Sequence, residues 1–130
     1  QIVIVTATNE FVTRPIAQSF GVDELIAVQL ARGAGGWYSG DIAGTPSFRE
    51  GKVTRVGEWL AARGRGWGDV FQCLVMLDDM ADWPTFNAIY VPYFPKGKLP
   101  ARSAFGADGL ALGAKIEMEC RAYAPEAPSR

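Results

Sequence analysis

A chain of 130 residues with 48% hydrophobic composition is long enough for one domain with a real core. A formal net charge of −1, with no cluster of Lys and Arg, argues against nucleic acid or an anionic membrane as partner. The absence of histidine excludes a zinc site of two cysteines and two histidines, and any Ser-His or Cys-His pair built from this chain alone.

The β-branched run Ile2-Val3-Ile4-Val5-Thr6 reads as a buried strand. It is too short to cross a bilayer and lacks the basic flank of a signal peptide. Asn9 is placed to cap the next helix, where Phe11, Val12, Ile16 and Phe20 recur at helical spacing. Pro15 is tolerated only in a first turn, which moves the expected start toward Thr13, and Gly21 ends the helix. Residues 23–30 fit either a strand or a short helix. Gly33 to Gly36 form a turn, and residues 37–42 read as a strand interrupted by Gly40. Ser47 and Glu50 have capping-box spacing ahead of a helix whose apolar face carries Val53, Val56, Trp59 and Leu60 and which stops near Gly64.

Residues 69–77 alternate, with Phe71, Cys73, Val75 and Leu77 on one face of a strand. Asp82 and Pro84 open a helix that buries Phe86, Ile89, Tyr90 and Tyr93. Residues 102–106 form a strand. Residues 114–123 alternate again, with Ile116, Met118, Cys120 and Ala122 inward and Lys115, Glu117, Glu119 and Arg121 on the other face. The last residues, rich in Pro and Ala, read as a loose tail. Cys73 and Cys120 both sit in apolar strand patterns; two reduced core thiols in a cytoplasmic protein are expected, with a disulfide as the alternative.

Arg102 and Glu117 stand on neighbouring strand-like segments. An arginine grips a carboxylate in a planar fork, and a glutamate moves a proton to or from water. Together they point to water chemistry on a small acid. Each residue has an ordinary alternative. Arg102 could pair with a surface acid, Glu117 with Lys115 or Arg121, and Asn87 could cap or be solvated. Asp78, Asp79 and Asp82 fit turn and cap positions better than a metal site.

The stretches Asp69 to Asp78, Asn87-Ala88-Ile89-Tyr90, Leu99-Pro100-Ala101-Arg102-Ser103 and Lys115-Ile116-Glu117-Met118-Glu119 resemble the RidA (YjgF) family of enamine/imine deaminases, in order and at family-like spacing. The resemblance covers residues 68–125. Trp37-Tyr38-Ser39-Gly40-Asp41-Ile42 echoes a further strand of that family, which would extend a RidA-like module to 37–125. The resemblance implies an α+β fold of the chorismate-mutase-like kind, a sheet packed against two helices, and a homotrimer with clefts between subunits. It implies that Arg102 binds the substrate carboxylate, that Glu117 positions or activates water, and that Asn87, Ser103 and Gly40 line the substrate site. It implies no cofactor and no metal. Ala104 stands where the family often has a cysteine, so thiol chemistry is not expected.

Residues 2–68 resemble the phosphoserine-phosphatase-like branch of the haloacid dehalogenase (HAD) superfamily. Val3-Ile4-Val5-Thr6-Ala7-Thr8-Asn9 looks like its second motif, with Thr6 as the phosphate-binding hydroxyl and Lys52 as the phosphoryl-steadying lysine. The nucleophilic Asp-x-Asp motif does not occur before Thr6 in these residues, so phosphatase activity is not expected.

The expectation is one compact domain over residues 1–130, with an HAD-like segment at 1–36 ahead of the 37–125 module. The expected activity is hydrolysis of a small 2-imino or enamine acid to the 2-keto acid and ammonia in the cytoplasm. An HAD-type phosphatase fragment and a non-catalytic RidA-like trimer that binds small ligands are the alternatives.

Overall fold

The computed structural model describes residues 1–123 and divides into two units, Gln1–Ala62 and Arg63–Arg130. The Pro- and Ala-rich tail, with the last two residues of the 37–125 module, lies outside the described residues.

In the first unit, the β-branched opening forms β1 (Val3–Asn9), followed by α1 (Glu10–Ser19) and by β2 (Glu24–Val28), which runs parallel to β1 from the pair Val3–Glu24 onward. Asn9 caps α1 as expected, its Oδ1 accepting from the Val12 N–H at 3.0 Å. The helix nonetheless starts at Glu10 rather than near Thr13, with Pro15 inside it. The Asn9 cap, the Thr13 hydroxyl donating to Asn9 O at 2.9 Å and the Glu10–Arg14 ion pair all fix the first turn. They offset the single N–H that Pro15 lacks.

At the other end the Gly21 N–H donates to Gln18 O and the Val22 N–H to Ala17 O, both at 3.0 Å, with Gly21 at φ +65°. This paired closure needs the left-handed backbone that glycine adopts without strain.

The apolar spacing of α1 does not mark a buried face. Phe11 is 66% and Phe20 72% exposed, and Ala17 is the helix's buried residue. A two-stranded sheet is too narrow to cover a helical stripe of that width. Residues 23–30 resolve as strand, and Ile26, Ala27 and Val28 are buried with Leu60.

The chain then forms a hairpin of β3 (Leu30–Arg32) and antiparallel β4 (Tyr38–Ile42). The residue 36/37 point, expected as a segment boundary, falls inside this hairpin. α2 (Glu50–Ala61) follows. Ser47 is not its cap; it is fully buried and its hydroxyl donates to Ile26 O at 3.3 Å. Arg49 holds the cap position at φ 49°, a left-handed conformation, without a side-chain bond to the helix. Gly51 lies so close to the preceding turn that a Cβ there would stand 2.1 Å from Pro46 O.

The second unit is organised around β5 (Val70–Leu77), the central strand of a three-stranded sheet. β6 (Ala101–Gly106) pairs with it in parallel and β7 (Ile116–Ala122) antiparallel. Between β5 and β6 lies α3 (Trp83–Tyr90); with α2 it makes the two α-helices of residues 37–123. Cys73, Val75, Leu77, Phe86, Tyr90 and Phe94 are buried. Phe71 leaves the expected face and is exposed, because the β5–β7 register shifts between Val70 and Gln72. Ile89 is exposed as well, since a helix of eight residues turns only one stripe, Phe86 and Tyr90, into the core. Ile116 and Met118 alternate as expected but stay half-exposed on an edge strand with a single neighbour.

Cys73 and Cys120 are register partners on β5 and β7 and form a disulfide, which replaces the expected pair of thiols. Each thiol sits opposite the other across the strand pair, a proximity that no linear spacing reveals.

Gly51→Ala is expected to destabilise the first unit by about 1–3 kcal/mol, because the opposing atom is backbone and cannot swing away; a thermal melt checks this. In the oxidised protein, adding dithiothreitol is expected to lower the urea midpoint by the equivalent of about 2–4 kcal/mol, since the bond closes a long loop in the unfolded chain. Burial raises the Tyr90 hydroxyl above its ordinary pKa, and the nearby Arg102 charge opposes that rise. The folded state therefore holds this proton more tightly than the unfolded state. Its contribution is complete below about pH 10 and declines as pH rises above it. A pH series of urea melts on wild type and Tyr90→Phe is expected to show a shallower alkaline decline for the variant.

Candidate active site

β5 carries Cys73, Val75 and Leu77 on its buried face. Parallel pairing sets Arg102 of β6 opposite Cys73, and antiparallel pairing sets Cys120 of β7 opposite the same residue. Arg102, Cys73 and Cys120 therefore form one row across the sheet, with side chains on a common face.

α3 presents Trp83, Asn87 and Tyr90 at i, i+4 and i+7, a single helical stripe. The two elements meet at the arginine. The Arg102 Cζ lies 4.4 Å from the Trp83 ring centroid and 4.7 Å from that of Tyr90. Facing aromatic rings attract a guanidinium through their quadrupoles, by roughly 0.5–2 kcal/mol per ring. The ring series continues from Trp83 to Phe86 at 5.7 Å, to Tyr90 at 5.2 Å and to Phe94 at 4.7 Å.

Three buried polar atoms here have no hydrogen-bond partner: Arg102 Nη1, Asn87 Oδ1 and the Tyr90 hydroxyl. They are one donor, one acceptor and one group able to do either. A buried polar group left unpaired costs about 1–3 kcal/mol, so a ligand that pairs with these atoms recovers that cost on binding.

Arg102 and Asn87 are thus brought to one side of the sheet. Glu117 is not. It is the register partner of Met76, whose side chain alternates away from that of Cys73, and so it lies on the opposite face from Arg102 within one chain. Along the strand it is offset by three residues, about 10 Å. Ser103 is on the same opposite face and exposed. Gly40 belongs to β4 of the first unit, exposed at φ +94° with open space where a Cβ would be. Trp83 and Tyr90 were not expected to touch the arginine. The spacing of Trp83, Asn87 and Tyr90 carried that signal, but only contact with β6 gives it meaning.

The acidic residues after β5 serve local structure. Asp78 pairs with Lys115 Nζ at 2.6 Å, which raises the lysine pKa, and Asp79 accepts from the Ala81 N–H at 2.8 Å. Among the described residues no group of three or more His, Cys, Asp or Glu side chains could hold a metal ion. None of the described helices is long and apolar enough to cross a membrane. In the first unit the Thr6 hydroxyl oxygen accepts from the Thr8 N–H at 3.1 Å. An open groove of about 520 Å³ there lies between α1 and the β3–β4 hairpin, against Phe11, Arg14, Arg32 and Tyr38. Neither Thr6 nor Lys52 lines it.

A family model described as haloacid dehalogenase-like hydrolase matches residues 1–85. Histidinol-phosphatase of Neisseria meningitidis is 36% identical over 89 residues, which are 68% of this chain and 40% of that protein. The chain spans 36% and 56% of the length of the next two curated relatives. Human 2-iminobutanoate/2-iminopropanoate deaminase is 34% identical over 123 residues, covering 90% of this chain and 85% of that one. RidA from the Antarctic bacterium Psychrobacter sp. PAMC 21119 superposes with a TM-score of 0.50 at 26% identity, over 59% of this chain and 62% of that chain. The chain belongs to the RidA (YjgF) family, and through residues 1–85 also to the haloacid dehalogenase-like hydrolases.

Proposed function

We propose that this chain hydrolyses reactive 2-imino and enamine acids to 2-keto acids and ammonia. The observation that carries the reading is Arg102, a guanidinium held against Trp83 and Tyr90 with its Nη1 buried and unpaired, while Asn87 Oδ1 on the same helical stripe as those rings is buried and unpaired too. A 2-imino acid offers the complementary pair, a carboxylate for the arginine and an N–H for the asparagine. Charge-assisted bonds of this kind contribute on the order of 1.5–3 kcal/mol.

Water adds to the C=N carbon, the nitrogen takes a proton, and the resulting carbinolamine expels ammonia to leave the ketone. Glu117 guides the water and shuttles the proton to the departing nitrogen. An imine carbon is already electrophilic, so this route calls on side chains alone.

Glu117 lies on the opposite sheet face from Arg102 of its own chain, so the two meet only if a second copy supplies one of them. The reading therefore includes a homotrimer with Arg102 of one copy facing Glu117 of the next, with Ser103 at the edge of the same cleft. The proposed compartment is the cytoplasm.

Arg102→Ala is expected to abolish acceleration of 2-iminobutanoate hydrolysis while leaving the oligomer intact by light scattering. Glu117→Gln is expected to lower kcat by about 10²–10⁴. Random assortment of the two variants after unfolding and refolding together is expected to restore about a quarter of wild-type activity, since half of the boundaries are mixed and half of those pair an intact Arg102 with an intact Glu117. Failure of the mixture to regain activity, with mixed oligomers present, would refute the shared site. Unchanged activity of Arg102→Ala would refute the function.

A further inference from the structure

We propose that Trp83 and Tyr90 form a slot that makes Arg102 selective for acids that are planar at C2, a specificity that rests on the carboxylate-binding reading above. The two rings are seven residues apart on α3, about 10.5 Å of helical rise. The guanidinium carbon lies over both rings, 4.4 Å from one centroid and 4.7 Å from the other, and the slot has the guanidinium between them. With its faces covered, Arg102 offers a ligand only its N–H edge. A carboxylate bound in a fork lies in the guanidinium plane and so enters between the rings edge-on.

What the carboxylate carries behind it then meets the rims of Trp83 and Tyr90. In a 2-imino, enamine or 2-keto acid, conjugation holds C2 and its substituents in the carboxylate plane, and the flat group passes between the rings. In a 2-amino or 2-hydroxy acid, C2 is tetrahedral and directs a substituent at one ring. Asn87 stands between the two rings on the same helical stripe, with a buried and unpaired Oδ1. The buried Tyr90 and the half-buried Trp83 cannot simply swing aside, since Trp83 stacks on Phe86, and Tyr90 on both Phe86 and Phe94. Such a slot discriminates an unstable imine from the chemically similar and far more stable amino acid by the geometry at C2.

Isothermal titration of the full chain with 2-oxobutanoate and with 2-hydroxybutanoate isolates the effect, because the two acids share chain length and charge and differ in geometry at C2. Wild type is expected to favour 2-oxobutanoate by about tenfold, the range over which packing in a site discriminates small groups. Trp83→Leu is expected to bring the ratio close to one while 2-oxobutanoate still binds, and Trp83→Phe, which keeps a ring, to restore most of the preference. Equal binding of both acids to wild type, or an unchanged ratio in Trp83→Leu, would overturn the slot and leave the carboxylate site standing. Failure of wild type to bind either acid would overturn the carboxylate site and the slot together.

Discussion

The parallel register between β5 and β6 is the constraint on which the second unit's candidate site depends. It sets Arg102 opposite Cys73, on the face that α3 covers, and Ser103 opposite Leu74 on the other. A slip of one residue would exchange them and leave Trp83 and Tyr90 facing a hydroxyl. A long cation on the inner face of a sheet is ordinarily unfavourable. Here two aromatic rings replace part of its hydration. The arrangement is incomplete in hydrogen bonding, with three polar atoms buried and unpaired in one cluster. Native cores rarely leave such groups together unless something else pairs with them.

The same alternation that brings Arg102 to α3 sends Glu117 away from it. Within one chain the sheet separates the proposed acid-binding group from the proposed proton carrier. The proposed activity is thereby tied to assembly, because only a neighbouring copy can reunite them. β6 and β7 are both edge strands, and Phe105, Ile116 and Met118 on them are exposed. Such surfaces are the ones a protein covers with a partner or protects from one.

The haloacid dehalogenase-like match runs to residue 85, whereas the second unit begins at Arg63. Residues 63–85 therefore share sequence with one family and are built into the sheet of the other. The apolar strand β5 and the carboxylates Asp78, Asp79 and Asp82 that follow it lie in this shared stretch. Pairing decides between the two families. β5 bonds to β6 on one side and β7 on the other, and Asp78 is engaged by Lys115. In the first unit, β1, α1 and β2 form a parallel strand-helix-strand unit. The apolar residues of α1 nevertheless remain exposed on a two-stranded sheet.

Local signals were legible from the amino-acid order because their causes are local. Asn9 capped its helix, Gly21 closed it in the left-handed conformation, and the strands at β1, β5, β6 and β7 followed their β-branched or alternating patterns. Arg102 and Asn87 could be named from the residues around them. What lay on which side could not, since it depends on partners distant in sequence. The bulge at Phe71, the bonding of Cys73 to Cys120, the burial of Ser47 and the exposure of Phe11 and Phe20 all turn on what another segment places opposite. The tertiary structure alone decided that Arg102 lies against Trp83 and Tyr90 while Glu117 points the other way. Side-chain direction in a strand is set by pairing register and by the element that covers the face, and neither is written in the spacing of one strand.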